Sequence, residues 1–581
     1  MPKITIRERD LTSSGITDVS VNTVYIPGYA NIGPINTPIL CETLDEFQMT
    51  FGTEPYVFRA PQLWPTKFTT AAPSGNFYEK GEFEKSYIMA CELLKAGLPV
   101  LYERVFKVGT DNANKTAWTA KATISGAIPG ETSSNDTTVD TALIISATTP
   151  GLVMSGMKIA LRTETKTIND TARNYYILTL TQGDSKYKVT ETLTYFTFDP
   201  DVAALGSAYK LAKAGHSLID NSGLLLLTFD KNCTSKITFN TTDTKLTVPN
   251  SANAASSDEF NVSDLYEVLA ASKIDGTTQE TTGLYKLLDK GEYVIKFITT
   301  GAYPIFEYST DNALAKMLAE LAANRGDCTA LIDHTPKNDR NPVALVEGSL
   351  YKSVKNWANN SFVSTLGEDI FTYAAMFTPY GVYDCSSVKS QLMLPASFGY
   401  LLTLAQSIKT NANWVAVAGV QRGRIPNLLS LSQTITNAIA DSYQPRDAVA
   451  INPITNIKPY GLTIWGNRTL KNNETAGDLT ATSFLSIRQL TSDVKRNLYV
   501  AAKTLTFEQN SDILWINFKS KLIPVLDQMV SGSGLSGYEI IKQATKQKAT
   551  IKALVRLYAI EAVEDWDITV ELTDSSTEIT G

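Results

Sequence analysis

INPITNIKPYGLTIWGNRTL, residues 451–470, is the stretch whose reading decides the fold. Asn452, Pro453, Gly461, Trp465, Gly466 and Arg468 bracket a short run, Leu462-Thr463-Ile464-Trp465, built of good sheet formers. Pro and Gly divide it into turn, strand and turn. It holds no nucleophile, metal cluster or phosphate-binding loop. Gly466 suits either a positive φ or close packing beside the indole before it. Arg468 offers a planar fork of donors to a carboxylate or to carbonyls. This is the chemistry of a structural corner.

Downstream, 484–503 reads as a helix with Ile487, Leu490, Val494, Leu498 and Ala501 on one stripe. A second helix over 512–530 aligns Leu514, Phe518, Leu522, Val525 and Met529, with Pro524 expected to kink or split it. The glycines of 531–537 read as its stop, and a strand is expected over 551–560. In 566–572, Trp566, Ile568, Val570 and Leu572 alternate with Asp567, Thr569 and Glu571, a strand with one buried face.

At the other end Ile4 and Ile6 alternate with Lys3, Thr5 and Arg7, followed by a small, polar linker over 11–20. Ten extended residues reach roughly 33 Å. A lone strand on such a tether cannot bury its own face, so both terminal strands are expected to seek an open sheet edge. Strands at 22–27, 39–42 and 99–105 alternate with helices at 43–51 and 83–96, the first opening on a capping box, Thr43 with Glu46. From 106 to about 300 the composition turns to Thr, Ser, Asn and Asp, with short β runs at 141–147, 175–181, 224–229 and 236–239. The α/β rhythm resumes with a helix over 313–324 and a buried strand ending at Asp333, and continues through 371–377, 392–395 and 414–420.

The expected class is a mixed α+β and α/β multidomain protein: an inner α/β domain formed by both chain ends, with a mostly-β outer domain inserted. The divisions are an arm at 1–21, an α/β unit from 22–105 and 301–450, and the insertion at 106–300. A C-terminal unit at 451–565 and a second arm at 566–581 complete it. At 581 residues two to four domains are expected.

The net charge of −7 and pI near 5.3 argue against a broad nucleic-acid footprint. Five cysteines without C-x-x-C spacing fit a reducing compartment and no structural zinc. Two histidines, His216 and His334, leave little for His-based catalysis. The charged N-terminus is expected to carry no secretory signal, and no apolar run approaches the ~18 residues of a membrane span. Asp333-His334 invites a triad with Ser397, but no nucleophile elbow surrounds that serine, and His334 reads as a surface residue. Neither an enzyme nor a cofactor is expected.

The chain resembles the contractile-tail sheath proteins of the bacteriophage type. Asn452-Pro453-Ile454, Trp465 to Leu470, Ile487-Arg488-Gln489-Leu490 and Phe507-Glu508-Gln509-Asn510 follow that family's C-terminal pattern in order and spacing. Residues 415–423, 325–333, 28–34 with 43–52, and 97–105 resemble its other segments, while the insertion matches none. The resemblance implies copies stacked as rings around an inner tail tube protein, ended by baseplate and tail-terminator proteins, with terminal arms adding strands to neighbouring subunits. It implies a virion tail component assembled in the bacterial host cytoplasm, with neither nucleic acid nor membrane insertion. In related sheaths the C-terminal helix faces the tube, which points to Arg496, Lys519 and Lys521 as tube contacts. The alternative is a surface-binding adhesin that uses the Thr/Asn-rich insertion on host glycan.

Overall fold

The structure, a computed structural model, describes residues 22–63, 76–108, 113–128, 137–185, 189–240, 242–249, 260–274, 281–305, 312–334, 354, 355, 357, 370–544 and 550–564. Its centre is an eight-stranded sheet in the order Pro38–Cys41, Val100–Arg104, Val24–Gly28, Phe297–Ile298, Thr329–Ile332, Ala374–Thr378, Asn452–Ile457, Gly461–Ile464. The six inner strands pair in parallel, and the outermost strand at each edge pairs antiparallel. A parallel sheet must be covered on both faces, and side chains alternate accordingly. Val24, Ile26, Leu331 and Phe377 join helices Lys85–Ala96 and Ala396–Ser407 in one core. Tyr25, Ala330, Ile332 and Met376 face the other, under helix Ala313–Arg325.

Local chemistry sets the element ends. The capping box forms as expected: Thr43 accepts from the Glu46 amide, and the Glu46 carboxylate accepts from the Thr43 amide. Gly97 ends the next helix in the left-handed region, φ 96°. Between the first and second halves of the central sheet, residues 121–245 build two five-stranded sheets. Their strands include Thr137–Ala147, Thr171–Thr181, Leu225–Phe229 and Thr238–Phe239, over the expected β runs.

Two boundaries drawn from the sequence cut through the central sheet. Phe297–Ile298 lies between Val24–Gly28 and Thr329–Ile332, so the chain has already returned to the sheet before residue 300. Asn452–Ile457 pairs with Ala374–Thr378, and Ile454 and Ile464 are fully buried in the same core, so a division at 450 is not a break in packing. Residues 414–418 form no strand, and Gly419–Arg422 is a short helix.

Helices Leu485–Thr504 and Asp512–Ser531 share a smaller core with Leu490, Val494, Leu522, Val525 and Met529. Pro524 neither splits nor ends the second helix; it lies on the exposed side, where water can satisfy the carbonyl it leaves unbonded. The chain then forms an antiparallel hairpin, Leu535–Gln543 with Lys552–Ala559. Tyr538, Ile540, Val555, Leu557 and Ala559 press its inner face onto the helices.

Candidate functional site

The corner at 451–470 is organised by Asn452, which is fully buried. Its Oδ1 accepts the Arg468 amide at 2.7 Å, while its Nδ2 donates to the carbonyls of Arg468 at 2.8 Å and Met376 at 3.1 Å. One amide side chain thus ties the central sheet to the segment leaving it. Gly466 is there for space rather than for a positive φ, and it is not among the glycines in that region. A Cβ at 466 would lie 1.8 Å from Gln444 Nε2 and 2.7 Å from Asn452 Oδ1. Trp465, beside it, stays 40% exposed. Asn467 donates from Nδ2 to Ser486 Oγ at 2.9 Å and accepts the Ser486 amide, fixing the start of the long helix.

The fork of Arg468 finds a carboxylate. Nε donates to Glu564 Oε2 at 2.9 Å and Oε1 at 3.1 Å, and the second arm also reaches Oε2. The guanidinium lies 5.3 Å from the Phe484 ring centre. Ala562, Val563 and Glu564 wall a cavity of about 200 Å³ with Gln444, Trp465 and Gly466. The segment after the hairpin is therefore docked on the corner.

Arg496 is not a surface residue. It is buried, its Nη2 2.6 Å from Asp327 Oδ2 and 2.8 Å from the Ile295 carbonyl. Arg325 bonds the same carboxylate through Nε at 3.0 Å and Nη2 at 3.2 Å. Lys296 pairs with Asp493 at 2.8 Å, also buried. Arg496 thus fastens the long helix to the central sheet, and a role for it against a tube is corrected. Lys519 and Lys521 are half-buried and make no ion pair among the described residues. By helical spacing Lys519 lies between the exposed Ile516 and Ile523, while Lys521 borders the packed stripe.

His334 is likewise corrected. It is buried, with Nε2 3.1 Å from Thr378 Oγ1 and its ring edge-on to Tyr380. Asp333 accepts Ser397 Oγ at 2.5 Å and the Ser397 amide at 3.3 Å, holding the first turn of helix Ala396–Ser407. Successive residues at a strand end point to opposite faces, so the acid takes the serine while the imidazole turns to Thr378.

Burial raises the Asp333 carboxyl to about 7, against the opposing bonds from Ser397, and burial likewise raises Glu84 to about 7. Both bind protons more tightly folded than unfolded. Their contribution to stability is complete below about pH 4 and is lost as pH rises through 7. Asp333→Asn is expected to flatten the fall in the urea midpoint between pH 5 and 7.5, and an unchanged slope would exclude Asp333 as its source.

Among the described residues, no group of three or more His, Cys, Asp or Glu is placed to hold a metal, and no helix is long and apolar enough to cross a membrane. The arm residues Ile4, Ile6, Trp566, Ile568, Val570 and Leu572 lie outside the described residues. Sequence reasoning missed the strand Leu535–Gln543, Asn452 as the organiser of the corner, and Glu564.

No family model matches the chain. Over 279 residues it is 22% identical to the tail sheath protein of Vibrio phage KVP40. That match covers 46% of this chain and 40% of the relative, so the chain spans less than half of the curated relative's length. Among solved structures, the sheath tail protein of Listeria innocua aligns over 93% of this chain and 96% of its own, at 10% identity and a TM-score of 0.47. That of Desulfitobacterium hafniense aligns over 96% and 100%, at 10% identity and 0.45. The sheath complex of an extracellular contractile injection system in its contracted state aligns over 51% and 75%, at 18% and 0.37. The chain is similar to contractile-tail sheath proteins.

Proposed function

We propose that this chain is a structural subunit of a contractile tail sheath. Copies stack around an inner tail tube protein in an extended lattice of less favourable contacts. Triggered from the baseplate, they re-tile into a shorter, wider lattice and drive the tube through a cell envelope, with tail-terminator proteins at the far end. No catalyst is needed, because the work comes from exchanging one set of subunit contacts for another. The subunit acts in the virion tail after assembly in the bacterial host cytoplasm.

The observation that supports this reading best is the terminal hairpin. Leu535–Gln543 and Lys552–Ala559 form a two-stranded sheet, each strand with an outer edge unpaired among the described residues. Such edges are templates for foreign strands. The alternating segments around Ile4 and Ile6 and around Trp566, Ile568, Val570 and Leu572 are the strands to fill them. Each main-chain bond contributes only about 0.5–1.5 kcal/mol, but a strand makes several, enough for arms to persist while weaker contacts break. Against the tube, the helix Asp512–Ser531 presents Lys519 flanked by exposed Ile516 and Ile523, a mixed polar and apolar face.

Purified protein is expected to form long tubular polymers in negative stain without ATP. Deleting residues 1–10 or 567–581 is expected to leave folded monomers that do not polymerise. Normal polymer yield from both truncations would overturn the arm reading.

A further inference from the structure

The cluster around Asp327 is not neutral. Arg325 and Arg496 share that single carboxylate, and both are buried. Their other partners, the carbonyls of Leu287, Tyr293 and Ile295, solvate the guanidiniums but bring no charge. Holding a charge out of water is costly unless an opposite charge meets it. One guanidinium is therefore left without a counter-charge inside the cluster.

The cluster also opens on a cavity. Arg325, Asp327 and Arg496 line a space of about 390 Å³, where helix Ala313–Arg325 ends beside helix Leu485–Thr504. Lys290 and Lys495 complete its charged wall, so four cations face one carboxylate in a chain of net charge −7. Asp289 and Glu292, the acids nearest Lys290 in the chain, do not line it; Asp289 Oδ1 accepts the Gly291 and Glu292 amides instead. Lys290 is half-buried and makes no ion pair among the described residues. Lys495 Nζ donates to the Tyr373 hydroxyl at 2.6 Å rather than to an acid. Among the described residues Arg496 bonds through Nη2 alone, which leaves Nε and Nη1 as donors. Carbonyls at the end of helix Ala313–Arg325 do favour cations, but a helix end counts for only about half an elementary charge. Most of the excess remains.

We infer that this cavity binds a compact, multiply charged phosphate anion of the diphosphate class. The excess calls for an anion with more than one negative charge, and the geometry favours phosphate over carboxylate. Arginine forks and lysine point charges enter from three separate segments: the turn at Lys290, the helix end at Arg325, and the helix face at Lys495 and Arg496. Tetrahedral phosphates present oxygens in several directions and can meet all three, whereas a planar carboxylate is taken up by one fork. The space lies toward the small end of ligand pockets, which run to about 300–1,000 Å³, so it suits a diphosphate better than a long chain. The inference goes beyond the sheath reading and stands without it. An anion touching all three segments ties the long helix more firmly to the central sheet.

Equilibrium dialysis of the full chain at fixed ionic strength tests this, with inorganic pyrophosphate, ADP, adenosine and citrate as probes. One pyrophosphate per chain is expected, with citrate bound at least about tenfold more weakly. Lys290→Gln with Lys495→Gln is expected to weaken pyrophosphate by about tenfold or more, whereas Lys519→Gln, outside the cavity, leaves it unchanged. ADP bound no tighter than pyrophosphate assigns the site to a free diphosphate. ADP bound tighter assigns it to a nucleotide whose base packs on Tyr499, an exposed ring of the same wall. Either result supports the diphosphate site.

Stability supplies an independent sign. Removing a cation from an uncompensated cluster relieves repulsion, so Lys290→Gln is expected to raise the thermal midpoint in the absence of anion. Saturating pyrophosphate is expected to raise the midpoint of the wild type. No binding of pyrophosphate at millimolar concentration, citrate as tight as pyrophosphate, adenosine as tight as ADP, or undiminished affinity in the double variant would each overturn the inference. So would a lower anion-free midpoint in Lys290→Gln, because it would show that the lysine is already balanced by the helix end.

Discussion

Asp327→Ala is expected to destabilise the folded chain by about 3–5 kcal/mol, because it leaves two buried guanidinium groups without their carboxylate. Arg325 is 1% exposed and Arg496 6%, so both charges are held away from water. Arg325 also bonds the carbonyls of Leu287 and Tyr293, and Arg496 that of Ile295, so four chain segments meet around the two guanidinium groups. Removing the acid keeps those carbonyl bonds but strands both charges. Asp327→Asn keeps the shape and an acceptor and is expected to lose less. A urea midpoint that hardly moves in Asp327→Ala would show that the cluster is solvated and that the helix Leu485–Thr504 is held chiefly by its apolar stripe. If the loss appears, the cluster and the Lys296–Asp493 pair together lock the long helix to the central sheet. In the proposed contraction the hairpin then moves with the sheet as one body.

The same cluster shows where sequence reasoning ends. Helix periodicity exposed Leu490, Val494, Leu522 and Val525 as core, because the stripe is local and the residues lie three or four apart. The capping box of Thr43 and Glu46 was legible for the same reason. Arg496 was misread because its partner Asp327 is 169 positions away, and no local pattern tells an arginine on a helix's polar side from one reaching into a sheet. Arg468 reads as a fork for a carboxylate or for carbonyls; the carboxylate it takes, Glu564, is 96 positions on, where no local pattern names it. The strand Leu535–Gln543 begins inside a glycine- and serine-rich run that reads as a helix stop, and adjacent Ile540 and Ile541 blur the alternation. His334 reads as a surface residue from sequence because the cover over it, Thr378 and Tyr380, comes from a later part of the chain.

Gly466→Ala is expected to cost roughly 2–4 kcal/mol, the sum of forced overpacking and buried hydrogen bonds left unmade. Backbone conformation is not the obstacle, since residue 466 lies outside the left-handed region. The nearest obstacle, Gln444 Nε2, is the end of a flexible side chain and can swing away. Asn452 cannot: its amide is committed to three buried backbone partners, and moving it frees the Arg468 amide and the Arg468 and Met376 carbonyls together. Gln444→Ala separates the two obstacles. If Gln444 alone resists the methyl, Gly466→Ala with Gln444→Ala should recover most of the urea midpoint of Gln444→Ala alone. If Asn452 resists it, the midpoint stays low whether or not Gln444 is present. The second result is expected, together with faster hydrogen exchange at 562–564. Arg468 holds Glu564 only as firmly as Asn452 holds the backbone of Arg468, so a displaced Asn452 should release the root of the arm. Full recovery on removing Gln444, with exchange at 562–564 unchanged, would sever that link and leave Gly466 as a matter of local room alone.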